Sequence, residues 1–482
     1  MSGGGPMNGL PNGIKANVSA SACDAFSTDL DTRSGFPPRA VLYPQTIEEL
    51  LKDVRSANDS RTPLVPVSST GPCRRGDTVA RVEGAVVVDL SGMNRLVHAD
   101  NRDKIAIIEA GVDFGSVDEL LRPHGLRAFR PLMPRSGKSV IASYLDREPI
   151  INADVHWDPA DPFGGTAIIS GGGELTLNGS AALEGSLREQ LERGHRHMVT
   201  FGPGNVDLTR VVQGSQGSLG IMGWAAIYCE RLPQIEQSVF LCSDTPAPVL
   251  SAMREAVHRR ICTTAFVADA VQLAMLLGLG LEVAETLPSW TFFATQAGYV
   301  HAPEDKVAWQ RADLEAIAAS HGATVATDLL GVAADDLADN LRRSRPESYR
   351  DLCLGAHKEL FFLHPISSVE RMIEAQQEHL ARGTLQGRPV GTYIQPLAQG
   401  TFAHFERVMP HAADSDVEIG WQALAEISLD AGAFYSRPHG GSRDLAFARD
   451  DGSARRMIGA AKALLDPHNI MNPNRFVVQE AN

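Results

Sequence analysis

Near the C-terminus, Gly432–Arg443 reads GAFYSRPHGGSR. Within five positions this stretch offers a hydrogen-bond donor (Tyr435), a fixed positive charge (Arg437) and a group that titrates near neutrality (His439). Such a set could orient a substrate oxygen, stabilise developing negative charge and take a proton. The competing reading is a Gly/Pro loop whose polar residues face water. Tyr393, Gln395 and His404 form a second candidate group, on or just after an apolar strand. For these three a packing role outweighs contact with substrate, although Tyr393 stays among the candidate catalytic residues.

Two other stretches could hold an anion. Gly202–Ile221, GPGNVDLTRVVQGSQGSLGI, is rich in glycine, and at 214, 217 and 220 the bare backbone lets N–H groups come close to a phosphate. Leu219 and Ile221 predict a turn that feeds a buried strand. A Gly-rich hairpin accounts for the same pattern. Ser68-Ser69-Thr70-Gly71-Pro72 follows a short apolar strand, Pro63–Val67, and reads either as a phosphate cradle or as a polar surface turn. Leu132–Leu145 carries one Gly-Lys pair without the Walker pattern, so it is not read as an ATP site.

The elements that would position these residues follow from period and punctuation. Arg39–Tyr43 predicts a strand, followed by a helix that Thr46 caps, with Glu49 three residues on, running through Ala57. Val86–Leu90 and Lys104–Glu109 predict strands, Gly111–Arg122 a helix, and Thr166–Ser170, Glu174–Leu177 and Ile221–Tyr228 further strands. From Gln234 to Leu429 the pattern changes. Strands are expected at Val239–Ser243, Trp290–Ala294 and Pro389–Pro396, and helices at Pro248–Arg260, Asp269–Leu279, Pro303–His321 and Ser368–Arg382. Helices of that length between strands suggest a sheet with helices on one face. A last helix, Val417–Leu429, leads into the Tyr/Arg/His loop, and Ala454–Leu464 follows it.

With 482 residues the chain exceeds one ordinary core, so two or three domains are expected. Its net charge of -14 argues against nucleic acid or an anionic membrane as partner. No apolar run reaches membrane-spanning length. The opening MSGGGPMNGLPNG lacks the basic and apolar regions of a signal peptide and reads as a flexible tail over 1–36. Six scattered cysteines without C-x-x-C exclude cluster or zinc spacing and fit a reduced, cytoplasmic setting; no metal site is expected.

In order, the chain presents the Ser/Thr-Gly loop, VVVDLSGMNRLVHAD, AIIEAGVDFGSVDELLRPHGL and DLTRVVQGSQGSLGI, and closes on LDPHNIMNP (465–473). This order resembles the vanillyl-alcohol oxidase/p-cresol methylhydroxylase flavoproteins, whose closing signature is similar, with Asn474 here where glycine is usual. The resemblance covers about 37–230 and 430–476. It implies an α+β fold: a two-part FAD-binding domain at 37–233, an α+β substrate cap at 234–430, and a return to the FAD domain at 431–482. It implies FAD contacts from Ser68, Ser69, Thr70 and Gly71, from Ser136, Ser139 and Ser143, from Gly214, Gly217, Gly220 and Ile221, and from Asn472. The family's "IGG" segment is replaced here by Val140-Ile141-Ala142-Ser143.

Tyr435-Ser436-Arg437 resembles the Y-R segment of the phenol-oxidising branch. The metal-associated H-x-G-D-G-N-x-H motif of the 2-hydroxyacid branch is absent, and Pro396–His404 is the nearest stretch. The loop SSTGPCRRG lacks the histidine that often tethers flavin, so non-covalent FAD is the default, with a Cys73 thioether a remote alternative. The implied activity is a dehydrogenase that takes hydride from a small hydroxylated substrate, a phenolic or aryl alcohol or a hydroxy acid. A separate carrier, a cytochrome or an iron–sulfur subunit, would then receive the electrons within a homo- or hetero-oligomer. An oxidase, an electron-relay subunit and a scaffold that has lost FAD stay open.

Overall fold

The computed structural model describes residues 16–29, 35–74, 78–155, 162–202, 204, 206–411, 415–449 and 451–475. Three sheets organise it. The first contains β1 (Ala16–Asn17), β2 (Ala40–Leu42), β3 (Leu64–Val67) and β4 (Val86–Asp89) in the order β1-β2-β4-β3. β4 lies parallel to β2 and β3, and β1 is antiparallel to β2. The second contains β5 (Leu96–Asp100), β6 (Ile105–Glu109), β7 (Leu126–Ala128), β8 (Phe163–Ile169), β9 (Leu175–Asn178) and β10 (Ile221–Arg231). Its order is β5-β6-β10-β8-β9, with β7 also on β10.

The third and largest sheet contains β11 (Ile235–Ser243), β12 (Thr264–Asp269), β13 (Trp290–Gly298) and β14 (Thr324–Ala326). A small hairpin, β15 (Asp328–Leu329) with β16 (Val332–Ala333), precedes its remaining strands β17 (His357–Pro365), β18 (Gly391–Leu397) and β19 (Phe402–Pro410). All its pairs are antiparallel, in the order β14-β11-β13-β12-β18-β19-β17. This is the expected α+β fold class; the large third sheet lies in the stretch expected to form the cap.

Three sequence expectations need correction. Residues 1–15 and 30–34 of the expected tail lie outside the described residues, but Ala16 and Asn17 pair with Leu42 and Val41, and Ser19 caps a short helix, Ala20–Asp24. That part of the stretch belongs to the first sheet. The helix expected over Gly111–Arg122 is only Val117–Leu121. Asp113 Oδ1 instead accepts the Ser116 N–H (2.9 Å) in a local turn. A Cβ on Gly111 would lie 2.4 Å from Leu90 O, so the chain there is pressed against its neighbour rather than coiled.

The cap sheet, finally, carries helices on both faces. Pro246–His258, Pro303–His321, Val369–Arg382 and Ser415–Asp430 pack on Leu241, Phe292, Phe362 and Phe405. Ala270–Leu276, Ala334–Arg342 and Tyr349–Leu354 cover Phe240, Phe266 and Phe293 on the other face. β12, β17 and β19 had no expectation in the sequence. β12 and β19 are buried almost throughout and β17 mixes buried and half-buried positions, so period-2 alternation is missing from them.

Candidate active site

Directly opposed residues of antiparallel strands share a face. On β17, β19 and β18, Phe361 opposes Glu406, which opposes Tyr393; Leu363 opposes His404, which opposes Gln395. The register therefore gathers Tyr393, Gln395, His404 and Glu406 on one face, with Phe405 and Arg407 on the other. The polar face lines a cleft of about 1800 Å³, open mouth included, whose opposite wall carries Ser68, Ser69, Gly217, Gly220 and Ile221. Cofactor loops and cap side chains thus border one cavity.

The polar face is internally satisfied. Glu406 Oε1 accepts from Arg350 Nε (2.8 Å), while Oε2 lies 3.4 Å from His404 Nε2. Burial depresses the His404 imidazole below its ordinary value near 6.5, with Arg437 and Arg350 adding to the effect against Glu406. This favours the uncharged imidazole. Burial works to raise Glu406, but Arg350 and the hydrogen bond from His404 prevail, so its carboxyl lies below the ordinary value and stays ionised. The Tyr393 hydroxyl donates to Gln395 Oε1 (3.0 Å), and Gln395 Nε2 donates to Ile150 O (2.5 Å). Arg437 stacks its guanidinium over Phe361 (4.2 Å to the centroid) and also lines the cavity.

On the cofactor side the loops approach too closely for side chains. A Cβ on Gly217, whose φ is +74°, would lie 2.4 Å from Pro66 Cγ. One on Gly220 would lie 2.9 Å from Ile169 O, and one on Gly137 2.1 Å from Thr70 Oγ1. Ser69 Oγ accepts the Ser139 N–H (3.0 Å), tying the two serine segments together. Between these loops Ala110, Ile141, Ala142, Leu145 and Val212 give the cleft a smooth apolar wall. A narrow backbone cradle beside an apolar slot fits a diphosphate joined to a planar ring.

The expected site residues divide accordingly. Ser68, Ser69, Gly217, Gly220, Ile221, Tyr393 and Arg437 line the cavity. Thr70, Gly71, Ser136, Ser139, Ser143 and Gly214 stand behind it. Thr70 N–H donates to Gly137 O (2.8 Å), Arg135 Nη1 donates to Gly71 O (3.0 Å), and Ser136 N–H donates to Arg345 O (2.6 Å). Ser139 Oγ donates to Ala110 O (2.6 Å), Ser143 Oγ donates to Glu148 (2.6 Å), and Gly214 N–H donates to Leu145 O (2.7 Å).

Asn472 works from behind as well: its Nδ2 donates to Gln216 O (2.8 Å), bracing the turn that carries Gly217. Tyr435 is displaced from its expected role. It is 6% exposed, sits in the cap core and donates to Ala425 O (3.1 Å), away from the lining. His439 stacks on Phe361 (5.1 Å) behind Arg437 and does not line the cavity. Arg350, Glu359 and Glu406 had no expectation. Only the i, i+2 spacing of Tyr393/Gln395 and of His404/Glu406 could have signalled a shared face.

Residues 38–142 match the family described as an FAD binding domain. A D-lactate dehydrogenase [cytochrome] of Arabidopsis thaliana is 25% identical over 242 residues, 48% of this chain and 39% of that protein. A D-2-hydroxyglutarate dehydrogenase of Stutzerimonas stutzeri is 26% identical over 275 residues, 55% of this chain and 53% of that protein. The matched stretches thus span well under two thirds of both relatives. Among solved structures, p-cresol methylhydroxylase superposes with a TM-score of 0.78 over 97% of this chain and 95% of its own, at 12% identity. The chain is a flavoprotein with FAD as its cofactor. Its fold is that seen in p-cresol methylhydroxylase, and its residues 38–142 match an FAD binding domain.

Proposed function

We propose that this protein is an FAD-dependent dehydrogenase of a small 2-hydroxy acid, with His404 as the base and Arg437 as the carboxylate clamp. The reading rests on one observation: a buried, carboxylate-backed histidine and a stacked guanidinium share a cavity with the cofactor loops. Bound FAD supplies the two-electron acceptor. Ser68, Ser69, Gly217 and Gly220 would hold its diphosphate through backbone and hydroxyl groups, and Ile141, Ala142, Leu145 and Val212 would flank its ring.

Arg437 binds the substrate carboxylate, and its stacking on Phe361 fixes the guanidinium plane. His404, with Nε2 turned to Glu406, takes the hydroxyl proton on Nδ1, and the Glu406 carboxylate offsets the resulting charge. Tyr393 and Gln395 set the polar edge beside it. The names of both relatives fit such a substrate. With Tyr435 bonded into the cap core, the Tyr-Arg pair that suggested a phenolic substrate is divided.

The electrons would pass to a separate carrier. The six scattered cysteines, without C-x-x-C spacing, suit a reducing cytoplasm. Among the described residues no helix is long and apolar enough to cross a membrane. The test is anaerobic bleaching of the flavin by D-lactate, D-2-hydroxyglutarate and p-cresol. Bleaching by a hydroxy acid is expected; bleaching by p-cresol alone would overturn the reading. Rapid steady turnover with dioxygen as sole acceptor would overturn the separate carrier.

A further inference from the structure

We propose that the ion pair Arg74–Asp351 is an interdomain latch, and that both are positioning residues that set the His404 base against the cofactor loop. The proposal rests on the role of His404 given above. Arg74 closely follows the Ser68–Gly71 loop, and Asp351 belongs to the cap helix Tyr349–Leu354. Their 2.5 Å contact joins residues 277 positions apart, and the side chains are only 18% and 19% exposed. Exposed pairs are worth little; this one is largely shielded and spans two domains.

From Asp351 an unbroken run of charged and titratable groups leads to the base. Asp351 Oδ1 lies 3.4 Å from His357 Nδ1, and His357 Nε2 lies 3.1 Å from Glu359 Oε1. Glu359 lies 3.5 Å from Arg350 Nε, which is 2.8 Å from Glu406, which holds His404. The short helix commits three consecutive residues to three neighbours. The Tyr349 hydroxyl takes a hydrogen bond from Gln272 in the cap core, Arg350 reaches Glu406, and Asp351 reaches Arg74. Moving the cofactor loop therefore pulls on the helix that orients the carboxylate behind the base. A misplacement of about 1 Å at such a centre costs about a hundredfold in rate.

His404 is faced by Glu406 on its own strand, Arg350 on the helix, Arg437 on the return loop, and Tyr393 and Gln395 on β18. Loosening the latch admits water to this group and relieves the burial that depresses the imidazole. The test uses the FAD-loaded full chain with Arg74→Gln, Asp351→Asn, the double variant and Arg74→Lys. Single-turnover flavin reduction by D-lactate and D-2-hydroxyglutarate is followed in anaerobic stopped flow. In parallel, the His404 imidazole is titrated by NMR in FAD-loaded and FAD-free protein, a readout independent of substrate.

The proposal expects both single variants to reduce ten- to a hundredfold more slowly at wild-type FAD content, with the His404 titration moved up towards 6.5. It expects the double variant to be no slower than the slower single, and Arg74→Lys to keep most of the rate. Additive losses, an unmoved His404 titration, or a rate loss matched by FAD loss in Arg74→Gln would overturn it. His404→Gln separates the two readings. If it reduces at the wild-type rate, the base assignment fails. If it is slow while Arg74→Gln behaves as wild type, the latch alone fails.

Discussion

Replacing Lys462 by Met should detach the cofactor turn from the C-terminal return. Lys462 is buried, and its Nζ donates to Ser218 O (2.7 Å), Met471 O (2.5 Å) and Asp466 Oδ2 (2.6 Å). Asp466 also accepts the N–H groups of Ile470 (2.9 Å) and Met471 (2.7 Å). One ammonium thus ties the turn that carries Gly217 to the strand-like return beside Leu64. Burial lowers the affinity of Lys462 for its proton, and Asp466 partly restores it. Methionine keeps the stem but leaves a buried carboxylate uncompensated and two carbonyls without this donor. Removing one partner of a buried pair costs about 3–5 kcal/mol. At about 1.4 kcal/mol per tenfold, the Kd for FAD would rise by roughly two to three and a half powers of ten. That is a ceiling, since part of the cost falls on the fold whether or not FAD is bound. The assay is titration of FAD-free protein by quenching of flavin fluorescence, with circular dichroism to check the fold. Lys462→Met/Asp466→Asn removes the stranded charge and should recover part of the affinity. A wild-type Kd in Lys462→Met, or a double variant worse than the two single losses combined, would refute the reasoning.

His404→Gln should slow flavin reduction by about 10²–10⁴ at unchanged FAD content, and in the wild type the rate should fall only as pH drops below about 6.5, because burial keeps the imidazole neutral above that. A pH profile of single-turnover reduction decides both. Arg437→Ala should lower reduction by hydroxy acids roughly ten- to a thousandfold, and a variant as fast as wild type would remove Arg437 from the site. Gly217→Val should yield FAD-free protein, since its Cβ meets Pro66 at 2.4 Å in a backbone with φ +74°; normal flavin absorbance would contradict this. Burial, with Glu230 nearby, pushes Asp154 up to about 6, so stability from its neutral form is present at low pH and lost as pH rises through 6. Asp154→Asn should leave urea midpoints near pH 4 unchanged and raise stability at pH 8 by about 1–3 kcal/mol.

The FAD half was legible because its chemistry is local. The proposed phosphate cradle draws on small residues close together in sequence, Ser68-Ser69 directly after β3 and Gly217 and Gly220 directly before β10. The clamp of Lys462 and Asp466 sits next to the motif it supports, but its partner Ser218 is 244 residues away, which no local pattern reveals. The cap half was less legible for two physical reasons. β19 is buried on both faces and β17 only in part, and Glu359, Glu406 and Arg407 interrupt their apolar runs, so neither a strand period nor an apolar run appeared. Loop composition, in turn, does not encode side-chain direction. Tyr435 and Arg437 are two residues apart, yet one joins the cap core and the other the cavity.

Register accounts for why the base lies on a strand. A one-residue slip of β19 would replace His404 and Glu406 in the cavity by Phe405 and Arg407. Two ladders oppose that slip, nine pairs with β17 and seven with β18. Arg407 adds to them from the far face: it donates to Gln376 Oε1 (2.9 Å) and to the Thr392 hydroxyl, beside Asp269. A slipped strand would strand that guanidinium and expel His404 from Glu406 at once. The place of His404, the proposed base, is therefore fixed by the sheet. The group proposed to meet the substrate carboxylate, Arg437, sits outside the ladder on the return loop. On the proposed reading, substrate preference can change through Arg437 on the return loop while His404 stays in place.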